Sequence, residues 1–499
     1  MNSTFRPGLL AALGVKITRL VTDSRLVNQG DTFVAYPGGQ ADGRQFIAQA
    51  IAQGANAVLW EAQHFKWQAN WHIPNLGIFN LREQAGAIAS HVYGNPSEKL
   101  WVVGVTGTNG KTSCSHWIAQ SMSAMGRKCA LIGTLGNGFP PELQPTLNTT
   151  PDAIRVHGLL DVFVQQQAQA AAMEVSSHAL EQGRVNGIGF DVALLTNLSR
   201  DHLDYHGSME SYAAAKRKLF NWHQLKYAVL NLDDAFGSEL AAQLQDQEVE
   251  VIGYGLTQAA LELAEQRGLR MVFGDGLKLD AQGCRMKVHA SWGRGELKSN
   301  LLGRFNAENL LGTLAVLLVS GIALTDALHE MGQRQPVAGR MQRAGGAGQP
   351  AIVVDYAHTP DALEKVLLTL RELTVVSGGK LICVFGCGGD RDRGKRPMMG
   401  TVSSRVADIS IVTSDNPRSE SPHEIIREIE AGMHGEYQVV EDRALAIARA
   451  IALARAQDTV LIAGKGHEDY QEIRGVKHPF SDMEVARNSL QGWLGGGLA

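Results

Sequence analysis

The chain of 499 residues is long enough for about three domains at the usual size of roughly 150 residues each. Hydrophobic residues make up 44% of the chain and charged residues 19%, proportions that exclude a disordered polymer. The 46 basic and 50 acidic residues give a formal net charge of 46 − 50 = −4. This balance argues against a general nucleic-acid binder, which needs a basic excess, but leaves room for a small anionic ligand in a local pocket.

Neither the cysteines nor the apolar segments are typical of a secreted or membrane-spanning protein. Cys383 and Cys387 have no second pair or histidine cluster to complete a zinc site, so we expect five reduced thiols in a cytoplasmic protein. The longest apolar run, residues 310–324, is shorter than the roughly 20 residues that cross a bilayer and predicts a buried helix. The N-terminal segment has no convincing cleavage site, and no signal peptide is expected.

Three successive stretches, residues 1–97, 98–338 and 339–499, are expected to form one domain each. The first holds short strands and loops and ends at the turn Asn95-Pro96-Ser97, which we interpret as a linker. In the other two, buried strands alternate with helical patterns, which predicts an α/β fold with mostly parallel sheets. The predicted strands lie at residues 31–35, 57–60, 100–105, 171–175, 191–195, 351–355, 380–385, 409–413 and 459–463.

Two helix starts are marked in the third stretch. Thr359-Pro360 and Ser421-Pro422 each place a capping hydroxyl before a proline at the first helical position. Both helices would begin just after a strand, at the sheet edge where open α/β folds bind their ligands.

The strongest chemical signal is Gly107-Thr-Asn-Gly-Lys-Thr-Ser113, between a predicted strand and a helix predicted over residues 115–124. Glycines let backbone N–H groups approach phosphate oxygens, and the helix N-terminus adds partial positive charge. Lys111, expected to be a solvated loop residue in the absence of ligand, would reach the outer phosphates, and the Thr112 hydroxyl would hold Mg²⁺. Valine occupies position 105, where a standard phosphate loop has its first glycine, so a chance glycine turn is the alternative.

Polar residues follow the next two predicted strands. Glu174 ends one strand, where a carboxylate beside a phosphate loop indicates a Mg²⁺ ligand and a capped surface glutamate is the alternative. The loop at residues 197–207 carries two histidines and two aspartates, which indicates ion or phosphate chemistry, with His206 expected to be merely solvated. Lys216 lies on a helix with a basic face, and from the residues alone a solvated charge is the stronger interpretation.

Together these motifs resemble the Mur ligases, the ATP-dependent amide-forming enzymes of peptidoglycan synthesis. The resemblance is carried by Gly107-Thr-Asn-Gly-Lys-Thr112, Glu174-Val-Ser-Ser-His178, Asn197-Leu-Ser-Arg-Asp-His-Leu-Asp204 and Gly303-Arg-Phe-Asn-Ala-Glu-Asn309. Five more segments narrow it to the branch that adds the third residue of the stem peptide: Asp23-Ser-Arg25, Asp355-Tyr-Ala-His-Thr-Pro360, Gly388-Gly-Asp-Arg-Asp-Arg-Gly-Lys-Arg396, Asp415-Asn-Pro-Arg418 and Gly464-Lys-Gly-His-Glu-Asp469. The resemblance spans nearly the whole chain, and the family uses the shorter phosphate loop.

The resemblance implies an N-terminal UDP-binding domain, a central P-loop ATPase domain and a C-terminal Rossmann-like domain. The implied substrates are UDP-N-acetylmuramoyl-L-alanyl-D-glutamate, ATP and meso-2,6-diaminopimelate, with Mg²⁺ as cofactor. The γ-phosphoryl group would pass to the D-glutamate side-chain carboxylate, and the amine of the diamino acid would then displace phosphate from the acyl phosphate. Such an enzyme is expected to be a cytoplasmic monomer that serves cell-wall synthesis, cell shape and division, without contact to nucleic acid or insertion into a membrane.

Residue roles follow by motif match. Thr112 and Glu174 resemble the ligands of one Mg²⁺, His202 resembles a ligand of a second, and Lys111 completes the catalytic set with Lys216. Lys216 resembles the lysine that family members carry as a carbamate, which would place an anion rather than an ammonium beside Mg²⁺. The residues implied to contact ATP are Gly107, Thr108, Asn109, Gly110, Lys111, Thr112, Ser113, Asn306, Asn309 and Asp355. For Asn306 and Asn309, helix capping is the alternative.

The match also implies where the UDP-linked substrate binds. The uridine nucleotide is assigned to Thr22, Ser24, Gly39, Gln40 and Ala41, and the muramoyl-dipeptide to Asn148, Thr149, Thr150, Ser176, Gln182 and Arg184.

The incoming amino acid is assigned to Arg391, Asp415, Asn416, Pro417, Arg418, Gly464 and Glu468. Lysine and diaminopimelate differ by one distal carboxylate, which an arginine binds bidentately, so lysine would leave Arg418 unpaired. Family members that add lysine tend to lack this arginine; a surface salt bridge is the alternative role for it. Arg391 would bind one carboxylate, and Glu468 would face the distal ammonium.

Four functions compete. A diaminopimelate-adding ligase fits the motifs best, and a lysine-adding ligase is its nearest rival. A ligase like folylpolyglutamate synthetase is disfavoured by the N-terminal domain and the Asp415 motif. A non-catalytic nucleotide-binding switch would leave Glu174, His202 and Lys216 without a role.

Overall fold

The computed structural model describes residues 6–38, 41–280, 282–346 and 348–493. Within these residues, successive segments form sheets of four, eleven and six strands, and a hairpin forms a separate two-stranded sheet. The α/β class expected from the sequence is confirmed. In the part of the chain that is described, no helix is long and apolar enough to cross a membrane.

The N-terminal sheet is parallel, with the order β1-β2-β3-β4. Its strands are β1 (Leu20–Val21), β2 (Thr32–Ala35), β3 (Ala57–Glu61) and β4 (Asn75–Ile78), with helices α1 (Gly8–Ala11), α2 (Ile47–Ala52) and α3 (Leu81–Val92) and 3₁₀ turns at Ser24–Leu26, Gly43–Phe46 and Pro96–Lys99. The predicted linker at Asn95 is the last of these turns. Because Pro96 and Ser97 are buried, this segment is packed against the protein.

The central sheet has the order β15-β14-β13-β12-β11-β10-β5-β9-β6-β7-β8. Its strands are β5 (Trp101–Thr106), β6 (Cys129–Gly133), β7 (Gly136–Phe139), β8 (Glu142–Gln144), β9 (Ala170–Glu174), β10 (Val192–Leu195), β11 (Tyr227–Asn231), β12 (Glu250–Gly255), β13 (Arg270–Asp280), β14 (Gly283–Ala290) and β15 (Gly293–Ser299). Its helices are α4 (Lys111–Ala124), α5 (Ala153–Gln165), α6 (Ser177–Glu181), α7 (Leu203–His206), α8 (Met209–Phe220), α9 (Ala235–Leu244), α10 (Gln258–Gln266), α11 (Arg304–Val319) and α12 (Leu324–Gln333). The strands from β13 through β6 run parallel, and antiparallel strands extend the sheet at both edges.

The C-terminal sheet has the order β16-β17-β21-β18-β19-β20 and is antiparallel at β16 alone within the described residues. Its strands are β16 (Gln342–Gly345), β17 (Ala351–Asp355), β18 (Leu381–Phe385), β19 (Ile409–Val412), β20 (Tyr437–Val439) and β21 (Thr459–Ala463), and the separate hairpin is β22 (Tyr470–Ile473) and β23 (Val476–Pro479). The helices are α13 (Pro360–Ser377), α14 (Lys395–Val406), α15 (Pro422–Glu430), α16 (Arg443–Leu453) and α17 (Asp482–Gln491).

Three local expectations need correction. The helix after the phosphate loop begins at Lys111, not at residue 115, because Gly110 caps it in a left-handed conformation. The apolar run at residues 310–324 is divided, since α11 ends at Val319 and α12 begins at Leu324. Thr359 caps α13 by accepting from an N–H, as predicted, whereas Ser421 makes no such bond in the described chain.

Strand order explains which loops meet. In the central sheet, β10, β5 and β9 are neighbours, so residues 107–113, Glu174 and the segment from Asn197 emerge at one carboxyl edge. In the C-terminal sheet, β17, β21, β18 and β19 are neighbours and bring residues 355, 464–468, 388–391 and 415–418 to their common edge. Parallel strands place their ligand-binding loops at such edges.

Candidate active site

The phosphate loop, residues 107–113, is held by the segment that follows β10. The backbone N–H of Asn109 donates to Asn197 Oδ1 at 3.0 Å. Gly110 has φ +88°, and a Cβ there would lie 2.4 Å from Asn309 Oδ1, so glycine is required by both backbone and space. The N-terminus of α4 therefore meets a preformed loop suited to an anion.

Lys111 is the first residue of α4 and is half-buried. Its ammonium donates to the carbonyls of Gly107 and Thr108, both at 2.8 Å. Burial lowers the pKa of this lysine, against the opposing field of the Glu174 and Asp201 carboxylates. The expectation of a solvated lysine is wrong, because the loop curls back and its own carbonyls accept from the side chain.

The side-chain oxygens of Thr112 and Glu174 lie together and could both coordinate a metal ion. The Thr112 hydroxyl donates to Glu174 Oε2 at 3.0 Å, and the Thr134 N–H donates to Glu174 Oε1 at 2.7 Å. Glu174 is buried at the end of β9 and not on the surface. Within the described residues no three His, Cys, Asp or Glu side chains converge on a metal site. The pair fits Mg²⁺, a hard ion that takes one or two protein oxygens and completes its shell with waters and phosphates.

His202 lies at the start of α7 with φ +55°, and its Nε2 is 3.2 Å from Asp201 Oδ2. Burial lowers the pKa of His202 to about 3, and the opposing Asp201 carboxylate does not overcome this effect. The imidazole is therefore neutral, which is the form that ligates metals.

Lys216 is 1% exposed, so the solvated interpretation of this residue is wrong. Its ammonium donates to Gly107 O at 2.9 Å, and burial together with the Lys111 charge lowers its pKa well below the usual value. The Tyr212 ring links it to the histidine, because its centroid lies 4.6 Å from Lys216 Nζ and 6.2 Å from the His202 ring. Tyr212 was not expected from the sequence.

His206 is not merely solvated, contrary to the expectation. Its Nε2 lies 3.0 Å from Ser177 Oγ, and its ring centroid lies 5.4 Å from that of His178. His178 in turn packs edge-on against His202 at 4.8 Å. The four-residue spacing of His202 and His206 is a helical signal that could have indicated one shared face.

A small cavity joins the phosphate loop to the C-terminal domain. Asn109, Gly110, Ser113, Asn306, Asn309, Arg340 and Asp355 are among its lining residues. Asn306 and Asn309 lie inside α11, not at its cap, and both are buried. Asp355 ends β17, where its carboxylate accepts from the N–H groups of Met341 and Ala357 at 2.7 and 2.8 Å.

Arg340 was missed by the sequence analysis. Its Nη2 donates to Thr112 Oγ1 at 3.1 Å, and its guanidinium lies 4.6 Å from the Tyr356 ring centroid. It therefore brings a cation from beyond the central domain to the phosphate loop. The segment Gly339-Arg340 at the predicted domain boundary was the available signal.

A larger cavity, of about 790 Å³, lies between the central and C-terminal domains. Its central wall includes Asn148, Thr149, Thr150, Ser176, Arg184 and His202, and its C-terminal wall includes Arg391, Asp415, Asn416, Arg418, Gly464 and Glu468. Pro417 and Gln182 do not line it. Gln182 instead accepts two hydrogen bonds from the guanidinium of Arg184, at 3.0 and 2.7 Å.

Charged groups are concentrated at the C-terminal wall. Asn416 Nδ2 donates to Glu468 Oε2 at 2.8 Å, and the buried Lys465 ammonium donates to both side chains at 3.0 and 3.1 Å. Gly464 has φ +119°, and a Cβ there would lie 2.5 Å from Asp415 Oδ2. The sequence did not predict Lys465 as a site residue, although it lies within the segment Gly464-Lys-Gly-His-Glu-Asp469.

Arg418 is not free. Its Nη1 donates to Gly389 O at 2.8 Å and its Nε lies 3.3 Å from Glu472 Oε2. The expectation that lysine would leave this arginine unpaired therefore needs correction, because the chain supplies a counter-ion. Arg391 is exposed at the cavity and donates to Asp390 O at 2.8 Å.

The N-terminal domain contributes a further cavity of about 670 Å³, lined by Thr22 and by residues 145–148, which also line the large cavity. Ser24 is buried and donates to Gln49 Oε1 at 3.0 Å, and Ala41 is exposed. Neither residue lines this cavity. Gly39 and Gln40 lie outside the described residues. The shared segment makes the two cavities adjacent.

The two walls of the large cavity are joined just before His202. Ser199 Oγ donates to Asp361 Oδ2 at 3.1 Å, Arg200 Nε lies 3.3 Å from Asp392 Oδ2, and Asp201 Oδ1 lies 3.8 Å from Lys395 Nζ. Consecutive residues of the central domain thus each meet a C-terminal partner.

Fold and site together define a class: a three-domain α/β ligase built around a phosphate loop that faces a charged interdomain cavity. Family models agree, since the Mur ligase family catalytic domain matches residues 16–93, the Mur ligase middle domain residues 105–317 and the Mur ligase glutamate ligase domain residues 339–466. The chain belongs to the Mur ligase family.

Individual relatives cover nearly the whole chain. The UDP-N-acetylmuramoyl-L-alanyl-D-glutamate--2,6-diaminopimelate ligase of Chromobacterium violaceum is 54% identical, over 98% of this chain and 97% of its own length. The protein of the same name from Nitrosomonas europaea is 51% identical, over 98% and 95%. A solved structure of a ligase of that name aligns with a TM-score of 0.66 at 37% identity and covers 95% of both chains.

Proposed function

We propose that this chain is an ATP-dependent ligase that joins meso-2,6-diaminopimelate to the D-glutamate side-chain carboxylate of UDP-N-acetylmuramoyl-L-alanyl-D-glutamate. The observation that carries the proposal is the interdomain cavity of about 790 Å³. One wall offers the hydroxyl and amide groups of Asn148 and Thr150, and the other offers Arg418 and Glu468. A peptide carboxylate and a zwitterionic amino acid would thus be held face to face.

The adjacent cavities suit a long nucleotide-linked substrate. The N-terminal cavity would take the uridine nucleotide at Thr22, and the chain of the substrate would pass residues 145–148 into the large cavity. The D-glutamate end would then reach the hydroxyls of Thr150 and Ser176. Arg184, whose guanidinium is already fixed by Gln182, would meet the peptide carboxylates.

The phosphate loop would bind the ATP triphosphate, and the cavity at Asn306, Asn309 and Asp355 would take the rest of the nucleotide. Lys111 would exchange its carbonyl partners for the outer phosphates and stabilise the charge that develops on the transferring group. A free carboxylate is a poor electrophile, so its phosphorylation to an acyl phosphate supplies the leaving group that the amine displaces. Thr112 and Glu174 would hold Mg²⁺, which neutralises phosphate charge.

We further propose that Lys216 is carbamylated in the active enzyme. Its lowered pKa favours the neutral amine, which is the form that combines with carbon dioxide. Lys216 and His202 both lie close to the Tyr212 ring, and the resulting anion would serve a second Mg²⁺ together with His202. Since both ATP and UDP-linked precursors belong to the cytoplasm, we infer that the enzyme acts there, as a monomer.

Amino-acid-dependent phosphate release tests the proposal. With the UDP-dipeptide, ATP and Mg²⁺ present, diaminopimelate should start rapid release, and lysine or glutamate should not. Release with lysine alone would favour the lysine-adding ligase, and release with glutamate when a folate replaces the UDP-dipeptide would favour a folylpolyglutamate-like ligase. ATP binding without release under any of these conditions would leave only a nucleotide-binding switch.

A further inference from the structure

The β22–β23 hairpin, residues 470–479, is packed against the loop that carries Arg418. Gln471 Nε2 donates to Asp415 O at 2.7 Å, and the Glu472 N–H donates to Asn416 Oδ1 at 2.9 Å. The Arg418 N–H donates to Glu472 O at 3.0 Å. One strand of the hairpin thus binds three of the four residues at 415–418.

The backbone at Arg418 depends on these contacts. Its φ is +50°, a left-handed conformation that residues other than glycine seldom adopt unless their surroundings impose it. The hairpin imposes it from both sides, because the Arg474 N–H donates to Arg418 O at 2.7 Å while Arg418 itself donates to Glu472. The hairpin therefore holds the backbone at Arg418, while Gly389 O accepts a hydrogen bond from its guanidinium.

The same hairpin supplies a charge. Glu472 Oε2 lies 3.3 Å from Arg418 Nε, and the two side chains are 26% and 20% exposed. Arg418 lines the large cavity, whereas Glu472 does not. The carboxylate therefore contacts the guanidinium without itself lining the cavity, and the guanidinium donates a hydrogen bond from Nη1 to Gly389 O.

We propose that Glu472 is a specificity-determining residue, which lowers the preference of this site for an amino acid with a distal carboxylate. The inference rests on the proposed function. A ligand carboxylate at Arg418 meets a guanidinium whose charge is already partly neutralised by Glu472. When an amino acid without that carboxylate binds, Glu472 still partly neutralises Arg418. The loss of binding free energy for such an amino acid is therefore smaller than it would be beside an unpaired arginine.

The variant Glu472→Gln separates charge from geometry, because the amide removes the negative charge but keeps the size and shape of the side chain that contacts Arg418 Nε. We expect its kcat/KM for diaminopimelate to rise and its kcat/KM for lysine to stay level or fall, so that the ratio of the two rises about 3- to 10-fold. Glu472→Asp, which keeps the charge, should stay near the wild-type ratio. Glu364→Gln is the control, because Glu364 pairs with Arg405 on the same domain but away from the cavity.

The decisive comparison adds Arg418→Ala and the double variant Arg418→Ala/Glu472→Gln. Because Glu472 acts through Arg418, its replacement should change the ratio by less than about twofold once Arg418 is gone. The inference is overturned if the ratio of kcat/KM for diaminopimelate to kcat/KM for lysine is unchanged or lower in Glu472→Gln. It is also overturned if this ratio rises equally when Glu472→Gln is made in the Arg418→Ala background. In both cases, turnover of diaminopimelate by the wild-type protein still upholds the proposed function. Absence of turnover by the wild-type protein with either amino acid overturns both.

Discussion

The two ends of the active site hold their cations in different ways. At the phosphate end, Lys111 and Lys216 donate to backbone carbonyls of the loop. At the amino-acid end, Arg418 and Lys465 are paired with the carboxylates of Glu472 and Glu468. A carboxylate neutralises more of a neighbouring cation's charge than a carbonyl dipole does. We infer that the phosphate end leaves the charge of Lys111 available to a highly charged ligand, whereas the amino-acid end offsets part of the Arg418 charge before the amino acid binds.

The largest expected effect is at the phosphate end. Lys111→Ala should lower kcat by about 10²-fold or more, because an electrostatic group at the transferring phosphoryl is lost. Lys128→Ala is a matched control, since Lys128 also donates to a carbonyl, that of Gln166, but lies outside the loop. Phosphate release at saturating ATP measures both, and equal turnover of Lys111→Ala and wild type would refute the role of the loop.

Lys216→Ala should come close to the same loss, about 10²-fold, if the proposed carbamate supplies an anion for Mg²⁺. Acetate at tens of millimolar should then restore part of the rate by replacing that anion. Lys218→Ala, two residues further on α8 in an exposed pair with Glu181, should keep wild-type turnover and show no response to acetate. Full activity of Lys216→Ala would exclude the carbamate from the mechanism.

At the amino-acid end the effect should be smaller and selective. A charge-assisted bidentate pair contributes roughly 1.5–3 kcal/mol, so Arg418→Ala should lower kcat/KM for diaminopimelate about 10- to 150-fold. The constant for lysine should move little, and those for the UDP-dipeptide and ATP should not move. Steady-state kinetics with each amino acid measure this, with Arg405→Ala as the control for loss of an arginine on the same domain. Equal losses for both amino acids would show that Arg418 does not bind the distal carboxylate.

The smallest expected effect concerns an ion pair that connects the central and C-terminal walls of the large cavity. The pair Arg200–Asp392 is part-exposed, with 41% of the arginine side chain accessible, and exposed pairs contribute about 1 kcal/mol or less. Arg200→Ala should therefore change kcat/KM about fivefold or less. A double-mutant cycle with Asp392→Asn isolates the pair, and a coupling well above 1 kcal/mol would mean that domain closure depends on this contact.

The same comparison shows what sequence can predict. The α/β class, the strands that carry the loops and the buried position of Glu174 at a strand end all follow from local patterns of apolar residues and glycines. Hydrogen bonds from a side chain to its own loop, as for Lys111, and burial on a seemingly basic helix, as for Lys216, depend on packing between distant segments. They were not predictable from periodicity.

The amino-acid end was predicted less completely, for a physical reason. Glu472 lies on a short hairpin whose sequence carries no motif, and only the fold brings its carboxylate to Arg418. Arg340 likewise reaches Thr112 across a domain boundary. Motif matching predicted residues that line the large cavity, such as Arg418, but not those that modify their charge.

The most direct test of the account is the mass of the product formed from UDP-N-acetylmuramoyl-L-alanyl-D-glutamate, ATP and an equal mixture of diaminopimelate and lysine. The account predicts one main product, heavier than the UDP-dipeptide by diaminopimelate less one water, with one ADP and one phosphate formed for each amide. A product that carries lysine instead, or ADP formed without any amide, would contradict it.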